Sequence, residues 1–178
     1  MLVGAGAGAV VCALLPQLRP WLALPIAATL AVLPDADFVL GLATGQAGAY
    51  HGTFTHSITA TLVVALFAGV LANWRWGVLA GAGYGSHLLV DLLDERGRTN
   101  VLLAWPWTSR QAHGIASVFP TVPFDQGYGI RPAIASLFRP EVFKYLLVQT
   151  GYGLVGFLLL LGLAWVLRLT VGPGPEGA

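Results

Sequence analysis

The sequence predicts an all-α fold, a polytopic membrane helical bundle of about five transmembrane helices with a polar site at one membrane face. Three observations support this class: the 178 residues are 56% hydrophobic, only 10% are charged, and the mean hydropathy is +0.74. A soluble domain carries about 25% charged residues. Because this length suits one domain, we expect a single integral membrane domain over residues 1–170 and a flexible tail over residues 171–178.

Five apolar stretches are the candidate spans. A transmembrane helix needs about 20 apolar residues, and a proline ends a helix because it lacks the backbone N–H. By these criteria the candidate spans are Leu2–Leu15, Trp21–Leu33, Ser57–Asn73, Trp76–Leu93 and Val142–Leu169. The first two are marginal in length. Residues 38–50 are apolar but rich in glycine, which favours a re-entrant turn rather than a span.

The connection over residues 94–140 is the longest hydrophilic segment. It combines prolines and arginines with six large aromatic side chains. These are Trp105, Trp107, Phe119, Phe124, Tyr128 and Phe138. Because aromatic rings with polar edges favour the boundary between membrane and water, we interpret the segment as a surface loop and a candidate lid.

Charge and cysteine content exclude several classes of function. The formal net charge of +1 provides no basic surface, so we expect no nucleic-acid partner. The single cysteine, Cys12, lies in an apolar run and forms neither an intramolecular disulfide nor a thiolate cluster. A cleaved signal peptide begins with a positively charged segment, but no Lys or Arg precedes the first apolar stretch. We therefore expect this stretch to be the first membrane helix.

Ionisable residues occur at the ends of three candidate spans. The stretch LPDADF places Asp35 and Asp37 at the end of the second span, and HGTFTHS places His51 and His56 at the start of the third. In a five-span topology the end of the second span and the start of the third lie at the same membrane face. These four side chains are therefore expected at one rim of the bundle.

The stretch SHLLVDLLD adds a histidine and an aspartate to that rim. His87 and Asp91 are four residues apart in the fourth span, so both side chains lie on one side of the helix. An aspartate at mid-bilayer costs about 2.5–3.5 kcal/mol, and a bound divalent cation offsets that cost. Imidazoles and carboxylates without a thiolate favour Zn, Mn or Fe over Mg. We therefore expect a divalent metal cofactor, with zinc first.

Each polar group also has a structural interpretation. Paired aspartates at a helix end often act as caps, histidines near a span can anchor it at the interface, and an Asp/His pair one turn apart can be a structural hydrogen bond. Thr55 or Ser57 is the expected cap of the third span. His113 has no partner within reach in the sequence, and we interpret it as a loop histidine.

The distribution of basic residues predicts the orientation of the chain. In the five-span topology, one face carries the long loop, the polar residues and most of the basic side chains. The basic residues on that face are Arg96, Arg98, Arg110, Arg131, Arg139 and Lys144, whereas Arg19, Arg75 and Arg168 lie opposite. The positive-inside rule then places the polar site on the cytoplasmic side of the cell membrane.

Four motifs resemble those of a known family. LPDADF, HGTFTHS, GYGSHLLVDLL and LLAWPWTS follow the order of the PDxD, HRGxTHS, Ser-His-x-x-x-Asp and Trp-Pro motifs of the bacterial membrane-bound metal-dependent hydrolase family of the inner membrane. The resemblance covers about residues 25–110. Gly52 stands where that family commonly has an arginine. The resemblance implies a metal site formed by Asp35, Asp37, His51, His56, His87 and Asp91.

Residues and resemblance together lead to the hypothesis of a membrane-embedded metal-dependent hydrolase with a cation-activated water. His56, His87 and Asp91 are the expected direct ligands. His51 and Asp37 complete the site or hold a second ion.

The two aspartates of LPDADF are the catalytic candidates. Asp35 orients a ligand or acts as the general base, and either Asp35 or Asp37 is the catalytic carboxylate. A site at the interface favours a partner drawn from the lipid bilayer, such as a lipid-linked phosphoester.

Two other functions are compatible with the same residues. Intramembrane His and Asp side chains also mark metal or proton pathways in transporters, although the chain has no internal repeat and its polar groups cluster at one end. A non-catalytic membrane scaffold with a structural polar cluster is the third hypothesis.

Overall fold

The fold is given by a computed structural model that describes residues 1–45, 49–94, 100–116, 118–119, 131, 134–135 and 138–171. Nearly all of the regular structure in this part of the chain is helical. The α-helices are α1 (Leu2–Leu14), α2 (Pro20–Leu30), α3 (Asp37–Ala43), α4 (Ile58–Leu71), α5 (Trp74–Leu92) and α6 (Pro140–Val171). Two 3₁₀ helices cover Leu33–Ala36 and Phe54–His56.

The all-helical class is therefore confirmed for the described residues, with one small exception. Strands β1 (Asn100–Val101) and β2 (Ala112–His113) form an antiparallel pair of two residues each. Five of the helices correspond to the five predicted stretches, and their ends agree with the predicted ends to within three residues. Apolar runs bounded by prolines and polar residues thus predicted the helices well.

Fewer of the described helices have the length and composition of a membrane span than the sequence predicts. By length and composition, α6 is the one described helix that could cross a membrane by itself. Helix α2 and the segment Leu33–Gly41 qualify together, but a 46° bend separates them, as in a broken span or a re-entrant loop. Helices α1 and α4 have only 13 and 14 residues, below the roughly 17 that a span needs. The five-span bundle therefore stays a prediction.

The described chain divides into two compact units, each assembled from separate stretches of sequence. The first comprises Met1–Val32, Thr61–His87 and the chain from Gly153 onward. The second comprises Leu33–Ala60 and Leu88–Tyr152. The single integral domain expected over residues 1–170 stays a prediction, and residues 172–178 of the expected tail lie outside the described part.

Glycine and alanine let the helices of the first unit pack closely. A Cβ added at Gly4 would lie 2.4 Å from the Ala31 Cβ, and one added at Gly83 would lie 2.9 Å from the Ala27 carbonyl oxygen. Ala27 itself is fully buried. Small residues thus allow backbones to approach, as is common between helices in lipid. The same unit holds an apolar core that includes Leu79.

Large apolar side chains cover the outside of the first unit. On α4, Leu66 and Val70 are 69% and 75% exposed, and on α6 Leu159 and Trp165 are 70% and 65% exposed. A helix that is apolar on its exposed side is typical of contact with lipid rather than water. This surface therefore supports a membrane location.

The second unit holds the polar residues and part of the long loop. Ser57 accepts a hydrogen bond from the Ala60 N–H at 3.0 Å, so it caps α4, as one of the two predicted alternatives required. The loop residues Leu102 and Leu103 dock beside this cap, because the Leu102 N–H donates to the Gly52 carbonyl and the Ile58 N–H donates to the Leu103 carbonyl.

The remainder of the predicted surface loop is described only in part. Trp107 and Phe138 are exposed, which fits a segment at the membrane–water boundary. Two aromatic residues of the predicted loop, Phe124 and Tyr128, lie outside the described residues. The same is true of the basic residues Arg96 and Arg98. The assignment of the loop as a lid stays a prediction.

Candidate metal site

The two aspartates of LPDADF stand where the chain changes direction after α2. Pro34 cannot continue an α-helix, and a 3₁₀ turn at Leu33–Ala36 carries Asp35. Asp37 begins α3. A carboxylate in the first turn of a helix is favoured by the partial positive charge of the N-terminal N–H groups.

The two histidines come together because the chain between them is tightly turned. Gly52 has a φ of +76°, a conformation that glycine adopts readily and other residues avoid. The following 3₁₀ turn, Phe54–His56, brings the ring of His56 to 4.7 Å from the ring of His51, edge to face. Phe38 of α3 also stacks on the ring of His51, with the two ring centroids 4.6 Å apart.

Asp37 lies behind both imidazoles and is completely buried. Its Oδ2 is 3.3 Å from Nδ1 of His56, and its Oδ1 is 3.5 Å from Nδ1 of His51. Its side chain is 0% exposed. A buried charge is tolerated only where partners compensate it, and here two imidazoles and a hydroxyl surround the carboxylate.

Thr55, predicted from the sequence only as a possible helix cap, supplies that hydroxyl. Its Oγ1 donates to Asp37 Oδ2 at 2.8 Å and lies 3.0 Å from Nδ1 of His56. The sequence signal that could have identified it is its place directly before His56 in the HGTFTHS motif, which also forms part of the family resemblance.

Two other carboxylates approach the opposite edge of the His56 ring. Nε2 of His56 is 3.6 Å from Asp35 Oδ1 and 3.8 Å from Asp91 Oδ2. Asp35 Oδ1 is also 3.8 Å from Nδ1 of His51. The ligand atoms offered by Asp35, His51 and His56 all lie within 4.8 Å of one another, so one cation can reach all three.

His87 lies one turn before Asp91 on α5, as the sequence predicted. Its Nδ1 is 2.9 Å from the carbonyl oxygen of Ala31. Because a carbonyl only accepts, Nδ1 carries the proton and Nε2 keeps its lone pair. This is the arrangement usual in metal-binding histidines, whose second nitrogen donates to a carbonyl or a carboxylate.

The electrostatics of the site favour a positive charge at His56. Burial by itself lowers the pKa of this imidazole. Hydrogen bonds to Asp35 and Asp37, together with the charge of Asp91, outweigh burial and raise the pKa of His56 from 6.5 to about 9. The carboxylates therefore stabilise a positive charge here, and a bound cation meets the same requirement.

The donor set fits a divalent cation that accepts nitrogen and oxygen ligands. It combines imidazoles with carboxylates, and Cys12, the single cysteine of the chain, is buried in the apolar core. Such donors suit Zn, Mn or Fe. The identity and number of the ions stay predictions.

Five of the six predicted site residues are neighbours within the second unit, as the distances above establish. They are Asp35, Asp37, His51, His56 and Asp91. The sixth, His87, shares α5 with Asp91. His113, interpreted as a loop histidine, belongs to strand β2, of which only the backbone is described.

Comparison with known proteins places the chain in a family. The model of the family described as YdjM inner membrane protein matches residues 1–172. This match covers nearly the whole chain, including the helices that flank the resemblance over residues 25–110. No curated protein and no solved structure matches the chain.

Proposed function

The chain belongs to the YdjM inner membrane protein family, and from this membership and the Asp/His cluster we propose that it is a membrane-embedded metal-dependent hydrolase. The proposed cofactor is a divalent cation, with zinc first. The proposed substrate is a lipid or lipid-linked phosphoester, and the proposed location of the site is the cytoplasmic face. The inner-membrane location of the family supports a substrate drawn from the bilayer.

The observation that carries the proposal is the convergence of three ligand atoms. Asp35, His51 and His56 come from two separate stretches of sequence, yet their ligand atoms lie within 4.8 Å of one another. Asp37 and Asp91 also lie beside His56, so three carboxylates surround one imidazole, and their mutual repulsion makes this arrangement costly. A divalent ion removes that repulsion and uses the nitrogen lone pairs.

The proposed ligands are those three residues with Asp91 and His87 of α5. Asp91 approaches the same nitrogen of His56 as Asp35 does, and His87 lies on the same side of α5 as Asp91. The hydrogen bond from His87 to the Ala31 carbonyl uses Nδ1, so Nε2 is the nitrogen through which His87 would bind a cation. How many of these five side chains bind at once depends on the number of ions.

Asp37 has a different proposed role from the one the sequence suggested. Its oxygens contact the Nδ1 atoms of both histidines, and it is fully buried. It therefore orients both imidazoles, as a carboxylate behind a metal-binding histidine does. This assigns Asp37 to positioning rather than to metal binding or proton transfer.

Asp35 is also the proposed general base, through the carboxylate oxygen that does not bind the cation. A carboxylate that accepts a proton from the attacking water has to reach that water. The side chain of Asp35 is 38% exposed, whereas that of Asp37 is 0% exposed. When bound, a divalent cation lowers the pKa of a coordinated water toward about 7 and polarises the bond to be cleaved. Asp35 holds the accepted proton and passes it to the leaving group.

Metal content tests the site directly. The protein is purified in detergent and its bound Zn, Mn and Fe are measured by elemental analysis. His56→Ala should lose the metal, whereas His113→Ala, a histidine predicted to lie outside the site, should retain it. Equal metal content in the wild type and His56→Ala would contradict the proposed site.

Activity tests the reaction. A panel of phosphoester lipids is incubated with the protein in mixed micelles, with and without a chelator. Hydrolysis should require metal and should be lost in Asp35→Asn, which cannot accept the proton. Metal flux into proteoliposomes without hydrolysis would favour the transport hypothesis, and loss of folded protein as the sole effect of site substitutions would favour the scaffold.

A further inference from the structure

We infer that Thr55 is a positioning residue, which holds the His56 ring with its Nδ1 protonated and its Nε2 directed to the carboxylates of Asp35 and Asp91. The inference rests on the proposed metal site and assigns within it a role that belongs to a neutral side chain. Thr55 itself binds neither the cation nor the substrate.

The hydroxyl of Thr55 can form hydrogen bonds with Asp37 and His56 in only one arrangement of donors and acceptors. Asp37 is a carboxylate and accepts hydrogen bonds, so the single hydroxyl proton is donated to its Oδ2 at 2.8 Å. The hydroxyl oxygen then offers only lone pairs to Nδ1 of His56 at 3.0 Å. Nδ1 of His56 must therefore carry a proton. The bonds run from His56 to Thr55 and from Thr55 to Asp37.

A proton at Nδ1 determines which nitrogen of His56 is available to a metal. Binding of a cation would displace the second proton of His56; the proton on Nδ1 would stay, and Nε2 would supply the lone pair. Nε2 is the atom that lies 3.6 Å from Asp35 and 3.8 Å from Asp91. The relay through Thr55 thus keeps the lone pair on the side of the ring where the proposed ligands converge.

Burial makes the hydroxyl difficult to replace. The side chains of His56 and Asp37 are both 0% exposed, so water has little access to the two groups that the hydroxyl joins. Without it, the direct contact of 3.3 Å between His56 Nδ1 and Asp37 Oδ2 would remain. That distance is longer than an ordinary N–H···O bond, so Asp37 by itself orients the ring less firmly.

A matched control is two residues away. Thr53 lies in the same turn, but its hydroxyl donates to the backbone carbonyl of Tyr50. Replacing Thr53 by valine removes a hydroxyl of the same chemistry from the same segment without touching a proposed metal ligand. The pair Thr55→Val and Thr53→Val therefore separates the orientation of His56 from the folding of the turn.

The test uses Co²⁺ as the probe, because its visible absorption reports ligand geometry. Wild-type protein and variants, purified in detergent and stripped of metal, are titrated with Co²⁺. Thr55→Val should bind about 10-fold more weakly, at the lower end of the effect for an outer partner of a ligand, and with an altered visible spectrum. Thr55→Ser should restore both properties, and Thr53→Val should match the wild type.

The outcomes distinguish the inference from the proposal beneath it. If the wild type binds Co²⁺ and Thr55→Val matches it in affinity and spectrum, the positioning role is wrong and the metal site stands. If the wild type itself binds no Co²⁺, the metal site fails and the inference fails with it. Far-ultraviolet circular dichroism verifies the helical fold of each variant, and Thr55→Ala repeats the comparison with a smaller side chain.

Discussion

The helix-packing region and the polar cluster are stabilised in different ways. In the first unit, α1, α2 and α5 pack through glycine and alanine, so the contacts are apolar and depend on how closely two backbones approach. In the second unit, the contacts around Asp37 and His56 are polar and directional, and each depends on the position of a particular atom.

The difference shows where stability and function separate in this chain. Burial of apolar surface scales with area and tolerates many arrangements. A cluster of charged and hydrogen-bonding groups tolerates few, because each group left without its partner is costly. Substitutions in the helix-packing region are therefore expected to change the free energy of unfolding. Substitutions in the polar cluster are expected to change the affinity for metal.

The largest effect is expected from shortening a buried leucine. Leu79 of α5 is 0% exposed, whereas Leu66 of α4 is 69% exposed. Leu79→Ala should lower the free energy of unfolding by about 2–5 kcal/mol, because it leaves a cavity, and Leu66→Ala should change it by less than about 0.5 kcal/mol. Unfolding in detergent measures both. Equal effects would mean that α5 does not form the core described here.

A smaller effect is expected from adding a single methyl group between helices. In Gly4→Ala the new Cβ would lie 2.4 Å from Ala31 Cβ, so α1 and α2 must separate. The expected loss of stability is about 1–3 kcal/mol. Gly162→Ala is the control, since its Cβ meets nothing within 4 Å, and alanine favours the helix by about 1 kcal/mol. Two variants of equal stability would contradict the close approach.

In the cluster, the expected effect is on metal affinity. Asp37→Asn removes the negative charge behind His51 and His56, and should weaken metal binding about 10–100-fold. Glu141→Gln removes an exposed carboxylate at the start of α6 and should leave the affinity unchanged. Competition with a chelating dye measures both affinities. A similar loss in the two variants would indicate a general effect of charge rather than orientation of the histidines.

The smallest expected effect concerns the cap of α4. Ser57 accepts from the Ala60 N–H and donates to the Phe54 carbonyl at 2.6 Å. Ser57→Ala should cost about 1 kcal/mol of stability, whereas Ser57→Asn, which retains a capping oxygen, should cost less. Thermal unfolding monitored by circular dichroism compares the two. The cap would be unimportant if both variants matched the wild type.

Much of the helical fold could be predicted from residues alone. Helix ends follow from local features, such as Pro34 after α2 and Ser57 before α4. The span count could not be predicted in the same way, because length and bending depend on packing. The 46° bend after α2 appears only in the structure, although the marginal length of that stretch was visible in the sequence.

The sequence identified which residues are candidates for the site, but not how their side chains are arranged. Ionisable groups beside apolar runs are costly in a membrane and usually have a function. On that ground the sequence identified Asp35, Asp37 and His56 as candidates. Their order around the ring of His56 could not be predicted, since alternating positions in LPDADF do not reveal which carboxylate is buried. The docking of Leu102 on Gly52 was likewise invisible, because the two residues are far apart in sequence.

The sequence by itself determined the apolar helices and the set of candidate ligands, because helix formation and the cost of charge in lipid depend on residue type and spacing. Only the tertiary structure decided that Asp37 lies buried behind two imidazoles, that Asp35 remains accessible, and that Thr55 connects Asp37 to His56. These are relations between side chains from different segments. Hydrogen-bond direction and burial arise only when those segments meet.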